Sequence, residues 1–308
     1  MAAPGGAHHH EEQLTMIQAV STESRITPEV LSQLRAWEGR SESLREQIVE
    51  APARGLAATL ERAVPLPGAP LPELWHWLYF LPRAPQGELG SDGHPRLGGF
   101  LPPVPLPRRM WAGGRLQWHV PLHIGDEVQR TSRIVSITHK AGRSGDLVFV
   151  VVRHELRCSG ELALSEEQDI VYRAPARPGD PAPTAQPAPA EAAWSCDVVP
   201  DPVLLFRYSA LTFNSHRIHY DRPYATEVEG YQGLVVHGPL IATLLADLAR
   251  RERPQTRVTA FSFKAVRPTT DLHAFRVCGA PAVDGSGARL WAQDHEGWLT
   301  MQAEIVFA

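Results

Sequence analysis

The chain has 308 residues, 43% of them apolar and 21% charged, with a formal net charge of −4 at pH 7; that is enough for one large or two ordinary domains with a substantial core. The basic residues are dispersed rather than striped, which argues against a nucleic-acid partner, and the longest apolar runs, such as Leu147 to Val152, are far too short to cross a membrane. Three scattered cysteines, Cys158, Cys196 and Cys278, suggest neither a disulfide framework nor a zinc knuckle, so a reducing cytoplasm is the expected compartment.

Residues 1–24, with Met1 to Gly6 and then His8, His9 and His10, read as a disordered start or a tag remnant outside the fold. Thr27 followed by Pro28, Val30, Leu31, Leu34 and Trp37 predicts a helix with a threonine N-cap and a proline in its first turn. The apolar run from Leu74 to Phe80 predicts a second, buried helix, in which Trp75 and Trp77 serve as core, as Trp111 does further on. Prolines 102, 103, 105 and 107 then impose an irregular crossing segment. Val128 to Thr138 and Leu147 to Leu156, separated by a turn-like AGRSGD, are rich in β-branched residues and predict antiparallel strands.

Ala174 to Ala193 reads APARPGDPAPTAQPAPAEAA, a composition that favours extended polyproline conformations over a core. It divides the chain into a first domain at 25–173, a linker at 174–193 and a second domain at 194–308. In the second, a mixed polar loop from Ser209 to Tyr224 precedes a helix on which Leu240, Ile241, Leu244, Leu245 and Leu248 recur at helical spacing. Ala242, Ala246 and Ala249 on its other faces imply that it is wrapped on most sides. Strands are expected at 258–266, 274–278, 289–293 and 298–307, with DHEG turning between the last two.

Helix followed by antiparallel strands occurs twice, which predicts an α+β architecture with each sheet covering its helix. A faint internal echo agrees: Trp118 to Asp126 and Phe263 to Asp271 each place an aromatic residue eight positions before an aspartate, at an offset of 145 residues.

The chemistry concentrates in Phe206 to Tyr224, where Asn214, His216 and His219 fall within six residues, just upstream of the His237-Gly238-Pro239 turn. The segment Asn214-Ser-His-Arg-Ile-His219 resembles the signature of the MaoC-like family of hot-dog hydratases: aspartate, two residues, proline, a branched apolar residue and histidine. Asn214 stands at the acidic position and Arg217 at the proline, so two positions depart from that pattern. The longer run Phe213 to Asp221 is similar to the subgroup of type 2 hydroxyacyl-thioester dehydratases and mesaconyl-C4-CoA hydratases, where asparagine is usual. Leu74 to Pro82 and Gly98 to Ala112 resemble that subgroup's N-terminal dehydratase-like domain, and Gly233 to Leu240 its loop into the central helix.

The resemblance implies a double hot-dog, two antiparallel sheets each wrapped around a central helix. It implies a hydro-lyase that adds water to an α,β-unsaturated acyl-CoA, foremost mesaconyl-C4-CoA to citramalyl-CoA. The rivals are a 3-hydroxyacyl-thioester dehydratase on CoA or acyl carrier protein, a thioesterase, and a non-catalytic acyl-thioester-binding subunit. His219 is the expected base and acid because imidazole titrates near neutrality. Asn214, which cannot ionise, would orient the water, and the Gly238 N–H would stabilise the enolate-like oxygen, as the family implies. His216, Tyr220 and Arg267 are candidate substrate contacts, Arg267 toward CoA phosphates or a substrate carboxylate, although structural or surface roles suit all three. No cofactor is expected. No metal is expected either, because the pair His216 and His219 lacks a third ligand at recognisable spacing. The remaining expectations are an acyl-CoA thioester as the partner, no membrane, and room for a homo-oligomer.

Overall fold

Thr27 caps the first helix, α1 (Pro28–Arg35), its Oγ accepting the Val30 N–H at 3.3 Å, with Pro28 in the first turn. The computed structural model describes residues 26–142, 145–174 and 184–308; the expectations for residues 1–24 and for the first part of the linker lie outside these. The elements after α1 are β1 (Ser41–Gln47), α2 (Glu50–Leu60), β2 (Arg108–Trp118), β3 (Glu127–Gly142), β4 (Gly145–Cys158) and β5 (Glu161–Arg173). Then come β6 (Trp194–Val198), α3 (Pro202–Leu211), α4 (Gly238–Glu252), β7 (Val258–Ala265), β8 (Phe275–Pro281), β9 (Gly287–Gln293) and β10 (Leu299–Phe307).

The ten strands of the described residues form one antiparallel sheet in the order β1-β3-β4-β5-β2-β7-β10-β9-β8-β6. Five strands from the first half and five from the second therefore run outward from a seam in matching order. The seam is β2 against β7, where Leu116 lies directly opposite Phe261. These two residues are 145 positions apart, the offset of the sequence echo. A pseudo-twofold axis passing between them gives that register, because equivalent residues of antiparallel partners face each other only at the axis. The two expected sheets are thus joined edge to edge, and neither half leaves an open edge at the centre.

The halves differ in what fills the concave side. In the second, Leu240 to Ala249 are buried without interruption, and α4 touches all five strands β6 to β10. Asp247 is tolerated inside this helix because Arg62, Arg250 and Arg251 all reach its carboxylate. In the first half the expected helix at 74–80 is only a single 3-10 turn, Trp75–Leu78, bracketed by left-handed Leu74 and Phe80. Polar anchoring outweighs helical periodicity here: Glu166 on β5 accepts from Trp77 Nε1 at 2.9 Å and pairs with His76 Nε2 at 3.0 Å. Burial alone would raise the Glu166 carboxyl, but the His76 partner holds it down at about 2.

Candidate active site

The polar loop between α3 and α4 is shaped by local hydrogen bonds. Asp201 caps α3 through the Leu204 N–H at 2.8 Å, and Phe213, at φ 49°, then turns the chain out of the helix. The Asn214 N–H returns to Ser209 O, while Asn214 Oδ1 accepts the His216 N–H at 3.0 Å, an Asx turn. One 3-10 turn, Arg217–His219, follows and carries the His219 imidazole inward. Arg217 does not point at the site: its guanidinium pairs with Asp221 at 2.7 Å and lies over the Tyr224 ring.

His219 is buried, and its Nδ1 sits 2.7 Å from Val235 O. A carbonyl only accepts, so Nδ1 carries the proton and Nε2 keeps its lone pair. The ring stacks on His237, the N-cap residue of α4, with centroids 3.7 Å apart, and His237 Nε2 meets Ser209 Oγ at 2.8 Å. Burial pushes the His219 imidazole down to about 4, with the Val235 carbonyl opposing and His94 assisting. Burial and neighbouring imidazoles likewise push His216 to about 2 and His237 well below its ordinary value. The cluster is therefore neutral at physiological pH.

α4 begins at Gly238 with no side-chain cap, and the Gly238 N–H finds no acceptor among the described residues. It is one of the orphan donors of a helix start, at the positive end of the helix dipole. A methyl group on Gly238 would come no nearer than 3.9 Å to Met301 Cε or Trp111 O, so the protein itself leaves this side of the glycine open.

A cavity of about 1770 Å³ runs across both halves. Asn214, His216, His219, Tyr220, Gly238 and Arg267 all line it. All six border this one cavity, at different depths. Tyr220 is 46% exposed and spends its hydroxyl on Ser215 O at 3.0 Å, while Arg267 faces Asp294 at 3.4 Å.

The first half contributes residues that sequence reasoning did not single out. Ser91 to His94 zip onto the loop between α3 and α4: Arg217 N–H donates to Asp92 O at 2.9 Å and Ser215 Oγ to Gly93 O at 2.5 Å. Gly93 has φ +89°, and any Cβ there would overlap Ser215 O. His94 is held by Asp92 through Nδ1 at 2.8 Å and lies on His216 with centroids 4.0 Å apart. Asp92, His94 and His216 bring one potential ligand atom each within 4.8 Å of one another. Hydrogen bonding already accounts for Asp92, whose Oδ2 takes the His94 ring and whose Oδ1 takes the His94 backbone N–H. The pair considered from sequence, His216 and His219, stands at right angles with centroids 5.5 Å apart. The Asp92-Gly93-His94 triplet offered one local signal, a turn with a polar side chain on either side.

Comparison with known proteins identifies the family and the fold. The sequence model of the hydroxyacyl-thioester dehydratase type 2 family matches residues 74–271. The chain is 51% identical over 273 residues to a mesaconyl-C(4)-CoA hydratase of Chloroflexus aurantiacus, covering 88% of this chain and 96% of that one. It is 28% identical over 267 residues to the mitochondrial hydroxyacyl-thioester dehydratase type 2 of Schizosaccharomyces pombe, covering 76% and 88%. Among solved structures, a MaoC-like dehydratase from Phytophthora capsici superposes with a TM-score of 0.65 at 12% identity, over 90% of this chain and 97% of that one. Likeness at such identity shows the fold alone, and the fold is the expected double hot-dog.

Proposed function

From membership of the hydroxyacyl-thioester dehydratase type 2 family, to which this chain belongs, we propose an acyl-CoA hydro-lyase that adds water reversibly to mesaconyl-C4-CoA and yields citramalyl-CoA. The observation that carries this reading is the nearly full-length match to the Chloroflexus hydratase. Dehydration of a 3-hydroxyacyl thioester on CoA or acyl carrier protein is the second reading, favoured by the more distant yeast relative.

The chemistry is assigned residue by residue. His219 Nε2, left unprotonated by the Val235 contact, takes a proton from water as the oxygen bonds to the β-carbon. The displaced electron pair moves to the thioester oxygen, where the free Gly238 N–H and the α4 dipole stabilise the enolate. The imidazolium then returns its proton to the α-carbon, which closes the balance. With a depressed pKa the imidazolium is a strong acid, suited to that return. Asn214 orients the water through its amide N–H₂, its Oδ1 being engaged by the His216 N–H.

The division into domains at 25–173 and 194–308 belongs to the same reading and is supported by the two matching half-sheets. A cytoplasmic setting is supported by three free cysteines, and no helix among the described residues is long and apolar enough to cross a membrane. A homo-oligomer is compatible with this reading.

The test is a panel of mesaconyl, itaconyl, crotonyl and longer enoyl thioesters with products identified by mass. Gain of one water with preference for mesaconyl-C4-CoA supports the proposal. Preference for long chains supports the dehydratase, release of free CoA a thioesterase, and binding without turnover a thioester-binding subunit.

A further inference from the structure

The substrate proposed above has a feature that constrains the site beyond the catalytic loop. In mesaconyl-C4-CoA the carbon that receives water carries both a methyl group and the free carboxylate. The charge therefore enters beside His219 rather than at the end of a long acyl tunnel. A buried carboxylate needs a cation and hydrogen-bond donors at that spot.

The arginines around the cavity differ in how far they are committed. Arg83 pairs with Glu46 and Arg108 with Glu229, while Arg267 stands more loosely, 3.4 Å from Asp294 with its buried Nη1 making no hydrogen bond among the described residues. Arg96 is exposed, and Arg130 lies over the Phe80 ring in the field of Glu166, within the other half's polar cluster. Arg173 sits at the end of β5, opposite Arg108. Arg109 is half-buried, lines the cavity and forms no ion pair with a carboxylate among the described residues. It lies beside the Tyr172 phenol and acts electrostatically on both His94 and His216.

Its place on β2 fits the size of the substrate. The Trp111 carbonyl borders Gly238, the assigned oxyanion donor. Arg109 precedes Trp111 by two residues, on the same face of the strand and about 6.6 Å along it. A trans four-carbon acyl group separates its thioester carbon from its carboxylate carbon by about 3.8 Å, as a trans peptide separates successive Cα atoms. A long guanidinium side chain reaches across the remainder. The His216 ring nitrogens have no hydrogen-bond partner among the described residues, so the imidazole is free to present an N–H to the same carboxylate. Asp92 does not compete, because both its oxygens are engaged by His94.

We propose that Arg109, from the first half of the chain, anchors the carboxylate on the substrate's β-carbon, with His216 as a neutral second donor. The anchor rests on the hydratase reading and on the placement of His219 and Gly238. The two halves then divide the work: the loop between α3 and α4, together with the start of α4, carries the chemistry, and β2 selects dicarboxylic over simple enoyl thioesters.

The test compares kcat/KM for mesaconyl-C4-CoA and crotonyl-CoA, which lacks the carboxylate, in the parent and in Arg109→Gln. The ratio of the two is expected to fall by about a hundredfold, the size of a lost charged hydrogen-bond pair. Arg109→Lys, which keeps the charge without the planar fork, is expected to keep part of the preference and carries the test if the glutamine variant folds poorly. Loss of both activities in equal proportion, or no change in the ratio, overturns the anchor while leaving the hydratase reading intact. A parent enzyme that hydrates crotonyl-CoA but not mesaconyl-C4-CoA overturns the substrate reading, and the anchor with it.

Discussion

The imidazole of His219 stacks on that of His237 with planes 17° from parallel, while its Nδ1 faces the Val235 carbonyl. Two buried rings in van der Waals contact cannot both be cations, and the carbonyl fixes which nitrogen of His219 carries the proton. The base proposed at His219 is thus prepared by burial and tautomer rather than by a carboxylate partner, and under that proposal this preparation stands in for the acid that the asparagine at 214 cannot supply.

Replacing His219 by glutamine preserves a donor for Val235 O and removes the proposed base. kcat/KM should fall by about 10²- to 10⁴-fold, the usual contribution of a positioned general base. Thermal denaturation and circular dichroism should show the fold retained.

Acidity separates activity from stability. Below pH 6.5 an unfolded chain protonates its histidines, whereas the folded protein keeps His219 and His154 neutral down to about 4. The unfolded state then binds more protons, so stability declines as pH falls from 6.5 toward 4. kcat/KM should nonetheless stay level from about pH 8 to about pH 5, because the His219 imidazole, the proposed base, loses its lone pair only near 4. Urea midpoints and initial rates across this range check both trends; an acid limb centred at 6.5 would show that His219 is not held as described.

Gly238→Ala separates fold from function in another way. The added methyl group meets nothing closer than 3.9 Å, and alanine favours a helix over glycine by up to about 1 kcal/mol. The variant should melt no lower than the parent yet lose most of its kcat/KM, since the methyl group occupies the approach proposed for the thioester oxygen.

Gly93→Ala tests the seam between the loops. With φ +89° and Ser215 O inside the radius of any Cβ, the variant should be destabilised by more than about 1 kcal/mol. Activity should fall with it, because Ser215 adjoins Asn214 and His216. Denaturant midpoints together with KM measure both effects.

Much of the fold could be read from local pattern. Thr27 and Pro28 announce α1, the leucine spacing announces α4, and the 145-residue offset of the echo equals the separation of Leu116 and Phe261, which face each other across the pseudo-dyad two residues before the echoed segments. What escaped the pattern depends on partners distant in sequence. The run Leu74 to Phe80 is apolar enough for a helix, but Glu166, some 90 residues away, ties His76 and Trp77 into a shorter turn. Strands β1 and β2 are too polar or too glycine-rich to show alternation; Gly113 and Gly114 are there because the β7 backbone and Phe263 press against them. In the site, Asn214, His219 and Gly238 sit close in sequence and carry a family signature. Asp92, His94 and Arg109 reach the same cavity only through the pairing of the two halves, which no local motif encodes.

The most direct measurement is the mass of the product formed from mesaconyl-C4-CoA by the purified protein and by its His219→Gln variant. The account predicts a thioester heavier by one water with the parent and unchanged substrate with the variant. Free CoA from the parent, or full hydration by the variant, would contradict it.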